Sequence, residues 1–183
     1  MVLTESNKML EIGAKAPDFS VKGTDGKIYT LDSFKDKKLL LVVFMCNHCP
    51  YVKPKIEPLK ELQEKYNDDL AIIGINSNDP TNYPEDSFEN MQRLVEEKGI
   101  NFVYAVDETQ EVAKAYGASC TPDPFLFDEE RKLVFHGRIN DEMEPGQPIT
   151  EKTMDVVIRK VLNGEKLEQS FIPSIGCSIK WKE

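Results

Sequence analysis

The sequence predicts an α/β fold: a central mixed β-sheet flanked by helices, with a β-hairpin at its N-terminal end. Three observations carry this. Apolar runs of strand length recur at 39–45, 71–75 and 102–106, the pattern of strands buried on both faces. Stretches with apolar residues spaced by three and four lie between them. Turn-forming residues punctuate two short hairpins, one before and one after this alternation. Strands alternating with helices imply parallel pairing, and the second hairpin adds antiparallel strands.

Taken in order, residues 1–12 read as a loose arm, 13–165 as the domain, and 166–183 as a C-terminal tail packed on or near it. Phe19 to Lys22 and Lys27 to Thr30 flank Asp25-Gly26, a strong hairpin turn. Leu39 to Met45 is the most continuous apolar strand. Val52, Ile56, Leu59, Leu62 and Tyr66 then form one helical stripe. Pro50 suits its first turn, whereas Pro54 and Pro58 predict a kink. A second stripe of Phe88, Met91, Leu94 and Val95 ends at Gly99. A short helix follows at 111–116, then a hairpin of 125–127 with 133–136. Thr150 is the expected cap of a last helix with Met154, Val157, Ile158, Val161 and Leu162 inward.

The chain has 183 residues and a net charge of −9. That surface argues against a nucleic-acid backbone and against anionic lipid as partners. No apolar run reaches the roughly 20 residues of a membrane span. The opening MVLTESNKML lacks a charged segment followed by an apolar one, so no secretory signal is expected. The expected location is the cytoplasm, where thiols stay reduced. Cysteines at 46, 49, 120 and 177 are too few and too spread for a disulfide scaffold.

Cys46-Asn47-His48-Cys49 lies where the most buried strand ends and its helix begins, the edge where open α/β sheets carry chemistry. A cysteine at a helix N-terminus faces unsatisfied N–H groups and the positive end of the dipole, which favours thiolate. Cys46 is therefore expected as the attacking thiolate and Cys49 as the resolving thiol. Protonated His48 would add positive charge and make the pair more oxidising. Two alternatives stand beside a redox pair: small core residues in chance spacing, or half of a zinc site. Zinc wants about four ligands, and Cys120, Cys177, His48 and His136 lack paired spacing. No metal and no cofactor beyond the redox disulfide is expected.

These residues resemble the thioredoxin fold, most closely the redoxin branch of peroxiredoxin-like and thiol-disulfide isomerase-like proteins, related to the alkyl hydroperoxide reductase and thiol-specific antioxidant proteins. APDF at 16–19 resembles the opening strand. Pro54, five residues after Cys49, matches a kinking proline, and Thr121-Pro122 resembles the cis-proline that precedes a central strand. The segment NSNDPTNYPED at 76–86 and the tail GCSIKW at 176–181 resemble a peroxiredoxin-like subgroup. The resemblance implies attack by Cys46, resolution by Cys49, Pro122 against the pair, and a Thr121 backbone that pairs with an extended substrate chain. Partners would be a disulfide-containing protein or small molecule and an electron donor.

Three departures matter. No acid lies in 39–45 to deprotonate Cys49; Met45 stands where thioredoxins place Trp; and neither cysteine carries the Pro-x-x-x-Thr/Ser-x-x-Cys pattern of peroxiredoxins. A thiol peroxidase remains the alternative, and a redox-sensing or metal-binding module a third. Further candidate site residues are Cys120, as a third thiol that relays oxidation or else a small buried residue; Cys177, which would pair with Cys120 or cap the site with Trp181 if the tail folds back; and Asn76, Asn78 and Asp79 at the strand edge. Arg138 is a candidate for lining a cleft, and His136 reads as structural.

Overall fold

The computed structural model describes residues 3–183. The chain runs β1 (Leu3–Glu5), β2 (Ser20–Gly23), β3 (Ile28–Thr30), β4 (Leu39–Phe44), α1 (Ile56–Lys65), β5 (Leu70–Asn76), α2 (Phe88–Lys98) and β6 (Val103–Val106). It continues with α3 (Glu111–Tyr116), β7 (Cys120–Thr121), β8 (Asp123–Phe127), β9 (Leu133–Gly137), α4 (Thr153–Leu162), β10 (Phe171–Ile172) and β11 (Ile175–Ser178). The large sheet has the order β10-β9-β8-β4-β5-β6-β2-β3. β4, β5 and β6 are parallel, while β8 pairs antiparallel with both β4 and β9. This is the expected thioredoxin-like mixed sheet with its N-terminal hairpin.

Every residue of β4 is buried, and its side chains alternate between two cores. Leu39, Leu41 and Val43 join Leu59, Met91, Met154 and Ile158 on one face; Leu40, Val42 and Phe44 join Ala113, Tyr116 and Phe125 on the other. Helices on both faces leave only the ends of the parallel strands open to chemistry. The cysteines follow the carboxyl end of β4.

Several expectations are corrected. Of the expected loose arm, residues 1 and 2 lie outside the described residues, and Leu3–Glu5 is not loose, because β1 pairs antiparallel with β11. With β7 these two strands make a second sheet, ordered β1-β11-β7. The segment after the cysteines is not one kinked helix. A 3-10 turn at Lys53–Lys55 precedes α1, so Pro54 lies ahead of the α-helix. Pro58 falls within the first turn of α1, where a missing N–H costs no helical bond. Thr150 does not cap α4, which starts at Thr153; its hydroxyl and N–H are held by Asp141 instead. Gly99 does end α2 in the left-handed conformation, at φ 57°. Among the described residues no helix is long and apolar enough to cross a membrane.

Candidate active site

β4 delivers the cysteines into a buried corner. Met45 N–H still donates to the Ile75 carbonyl, 2.9 Å away, and the chain then turns. The Cys49 carbonyl accepts from Val52 and Lys53 N–H before the 3-10 turn begins. The pair therefore precedes the α-helix by several residues, and the helix-terminus argument for a Cys46 thiolate does not hold here. The N–H of Asn47 points to Asp86 Oδ1, at 2.7 Å, rather than to a sulfur.

Thr121-Pro122 is cis and brings Thr121 over both cysteines. Thr121 Oγ1 is 3.4 Å from Cys46 Sγ, and the Thr121 carbonyl oxygen is 3.2 Å from Cys49 Sγ. The second neighbour of Cys49 is Cys177, whose Sγ lies 2.9 Å from its own. None of the four cysteines is in a disulfide. Cys46 is 1 % exposed and Cys49 is 0 % exposed, so neither sulfur sits on the surface.

The surroundings of the two sulfurs shift them in opposite directions. The Cys49 thiol is lowered to about 5, chiefly by the hydrogen bond from Cys46, against the cost of its burial. Cys177 and Thr121 add further hydrogen bonds to it. Cys46 is held well above the usual thiol range because it shares its proton with Cys49, because it is buried, and because the Asp86 carboxylate is close. The direction of both shifts favours the proton on Cys46 and the charge on Cys49, the group for which the sequence offered no base.

Asp86 organises the outer side of the pair. Its carboxylate accepts from Asn47 N–H and from Asn78 Nδ2, at 2.8 Å, and lies 2.6 Å from His48 Nδ1. Tyr83 stacks on His48 at 5.5 Å between ring centres, and Tyr104 Oη donates to Asn47 Oδ1. Asp86 was not anticipated as a site residue; its only sequence signal is its place at the end of the 76–86 segment. One ligand atom from each of Cys46, His48 and Asp86 lies within 4.8 Å of the others. That trio matches the three protein ligands of an open zinc site, although Asp86 already takes three hydrogen bonds.

The other candidates divide. Asn78 holds Asp86 and, through Oδ1, the tail at Lys180 N–H; Asn76 reaches the Asp86 carbonyl at 3.5 Å. Asp79 binds Thr81 and Asn82 in its own loop. Arg138 lines no cleft beside the cysteines; Thr153 and Glu151 hold it at the start of α4. Cys120 is buried against the Pro122 carbonyl, at 3.6 Å, and its thiol is pushed up by burial and then by Asp123. The tail does fold back, as β11, and sets Cys177 beside Cys49, 2.9 Å between sulfurs, rather than presenting it to Cys120. His136 is 1 % exposed, and its Nε2 is 2.6 Å from Asp123 Oδ1.

A thioredoxin-like sheet with two cysteines under a cis-proline loop defines the class as a thioredoxin-fold dithiol protein. Within that class the chain belongs to the Redoxin family, which it matches over residues 11–158. A relative named thiol-disulfide oxidoreductase ResA, from Bacillus thuringiensis subsp. konkukian, is 31% identical over 72% of this chain and 71% of its own. Peroxiredoxin Bcp of Bacillus subtilis is 27% identical over 68% of this chain and 83% of its own. A crystal structure of an uncharacterized conserved protein from Geobacillus kaustophilus superposes with a TM-score of 0.93 at 42% identity, covering 100% of this chain and 97% of that one. The thioredoxin domain of a Bacteroides vulgatus thiol-disulfide oxidoreductase shares the fold, at TM-score 0.65 and 20% identity over 83% of this chain and 99% of that one. The protein is an oxidoreductase with a thiol redox function.

Proposed function

We propose that the protein is a thiol-disulfide oxidoreductase in which Cys46 and Cys49 cycle between dithiol and disulfide. The observation that carries this is the placement of both cysteines under the Thr121-Pro122 loop, with Cys46 Sγ 3.4 Å from Thr121 Oγ1 and Cys49 Sγ 3.2 Å from the Thr121 carbonyl oxygen; the lowered Cys49 thiol is consistent with it. Cys49 is enclosed by Thr121 and Cys177, whereas Cys46 adjoins Asn47 and His48, which are partly exposed. Cys46 is thus the sulfur that meets an incoming disulfide. Its proton passes to Cys49 as it attacks, and one substrate sulfur leaves as thiolate. That leaving group takes the proton from Cys49. The restored Cys49 thiolate then attacks Cys46, closing the disulfide and releasing the second substrate sulfur as a thiolate, which takes its proton from water. Cys49 acts first as base and then as resolving nucleophile, so an acid in β4 is not required. The oxidised pair is returned to dithiol by an electron donor, and the expected setting is the cytoplasm.

The test is to mix reduced protein with oxidised glutathione and follow thiol loss. Cys46→Ser abolishes exchange, and Cys49→Ser stops at a mixed disulfide on Cys46. Exchange that survives in Cys46→Ser overturns the assignment.

One observation favours peroxide reduction as a second reading. The Thr121 hydroxyl, remote in sequence, sits 3.4 Å from Cys46 and supplies the hydroxyl that the missing Thr/Ser pattern would have provided. On this reading hydrogen peroxide oxidises Cys46 to sulfenic acid, which Cys49 condenses to the disulfide with loss of water. Peroxide consumption no faster than by free cysteine excludes it.

A further inference from the structure

The C-terminal strand occupies the edge on which a substrate would be expected to dock. β11 pairs antiparallel with β7, with Cys177 opposite Thr121 and Ser178 opposite Cys120. An extended substrate chain would add to that same edge beside the cis-proline. The seat is built for this one strand. A Cβ on Gly176 would lie 1.9 Å from the Thr121 carbonyl oxygen, so only glycine allows the approach. Ser174 Oγ donates to the Pro122 carbonyl at 2.7 Å. Further along, Lys180 N–H donates to Asn78 Oδ1, and Gln110 Nε2 donates to the Lys180 carbonyl. The strand arrives with a cysteine opposite Thr121, and Cys177 Sγ lies 2.9 Å from Cys49 Sγ. A disulfide bond is about 2.05 Å, so movement of less than about 1 Å would join the two sulfurs.

We propose that Cys177 is a third redox thiol, an internal exchange partner that attacks Cys49 in the Cys46–Cys49 disulfide. The inference rests on the dithiol reading above. In the step, the Cys177 sulfur bonds to Cys49 Sγ and the Cys46–Cys49 bond breaks. The bonding electrons leave on Cys46, which takes up the proton that Cys177 gives up. One disulfide replaces another, so no oxidant or reductant is consumed. The product keeps its oxidising equivalent at Cys49–Cys177 while Cys46 is again a thiol able to attack a second disulfide.

The surroundings support this order of events. In the reduced protein the Cys177 thiol is pushed up to about 12, first by burial and then by its hydrogen bond to Cys49 and the charge there. Once Cys49 is in a disulfide, its hydrogen bond and its charge are gone, while Lys180 still favours the thiolate. Cys120 provides the internal contrast. It is equally buried, but its sulfur meets the Ser6 hydroxyl, at 4.0 Å, and the Pro122 carbonyl instead of another thiol.

The experiment oxidises wild type and Cys46→Ser with oxidised glutathione, quenches with acid, alkylates, and maps disulfide-linked peptides. In Cys46→Ser, which cannot form the starting disulfide, the expected result is that neither linked peptide appears and Cys120 is still alkylated; a Cys49–Cys177 link there would mean that Cys49 reacts without Cys46 and would overturn the exchange step. In wild type, Cys49–Cys177 appears beside Cys46–Cys49. A wild type that forms only Cys46–Cys49 overturns the proposal and leaves the dithiol reading standing. A wild type that forms neither disulfide overturns both. The wild-type map decides the matter even if the variant folds poorly.

Discussion

At the scale of single residues, the site turns on where one proton sits. Cys49, lowered to about 5 by hydrogen bonds, is ionised in the folded reduced protein at neutral pH, whereas an unperturbed thiol at about 8.5 is not. A depressed acid pKa stabilises the fold fully above the unfolded value, and the contribution fades as pH falls toward the folded value. The reduced protein should therefore gain stability relative to Cys49→Ser as pH rises from about 5 to about 8.5. Denaturant melts of the two across that window check this, and ultraviolet thiolate absorbance should titrate near the lower limit. Parallel pH profiles for the two proteins would place the charge elsewhere. The sequence made the Cys46/Cys49 pair legible because spacing is local. It did not reveal which sulfur is ionised, because that depends on Asp86, Thr121 and Cys177, which the fold brings in from 37 or more positions away.

At the scale of elements, β4 shows what local pattern determines and β11 what it does not. Six consecutive apolar residues can only be a strand with both faces covered, and β4 is buried throughout. The β2–β3 hairpin and the Gly99 stop of α2 were legible for the same reason: Asp25-Gly26 and Gly99 act on their own neighbours. Leu3–Glu5 and Ile175–Ser178 are too short and mixed to announce themselves; β1 is a strand by pairing with β11, and β11 by pairing with β1 and β7. Gly176 is where β11 depends on a missing side chain. Gly176→Ala drives a methyl into the Thr121 carbonyl. We expect it to cost about 1–3 kcal/mol, as overpacking of a tight contact does. It should also lower the yield of the Cys49–Cys177 disulfide more than that of Cys46–Cys49. Denaturant midpoints and peptide maps measure the two effects, and an unchanged midpoint would mean that the strand yields without cost.

At the scale of the whole molecule, the two ends of the chain close over the reactive corner. β1 pairs with β11, and β11 with β7, so the edge beside Pro122 is filled from within. A protein substrate that docks by strand addition needs that edge empty. The partly exposed approach is formed by Asn47 and His48, with Tyr83 stacked on the His48 ring. Substrate choice should follow from this closure more than from any single contact. A small disulfide can reach Cys46 from the His48 side without disturbing β11, whereas an extended peptide gains nothing from its backbone. Oxidised glutathione should accordingly react at least as fast as a peptide disulfide flanked by strand-forming residues, as measured by second-order rate constants at one pH. If the peptide is faster by more than about tenfold, edge pairing is contributing more than about 1.4 kcal/mol to the transition state. β11 would then have to leave its seat during turnover, and the closed corner would be only the resting state of a protein that opens for its partner.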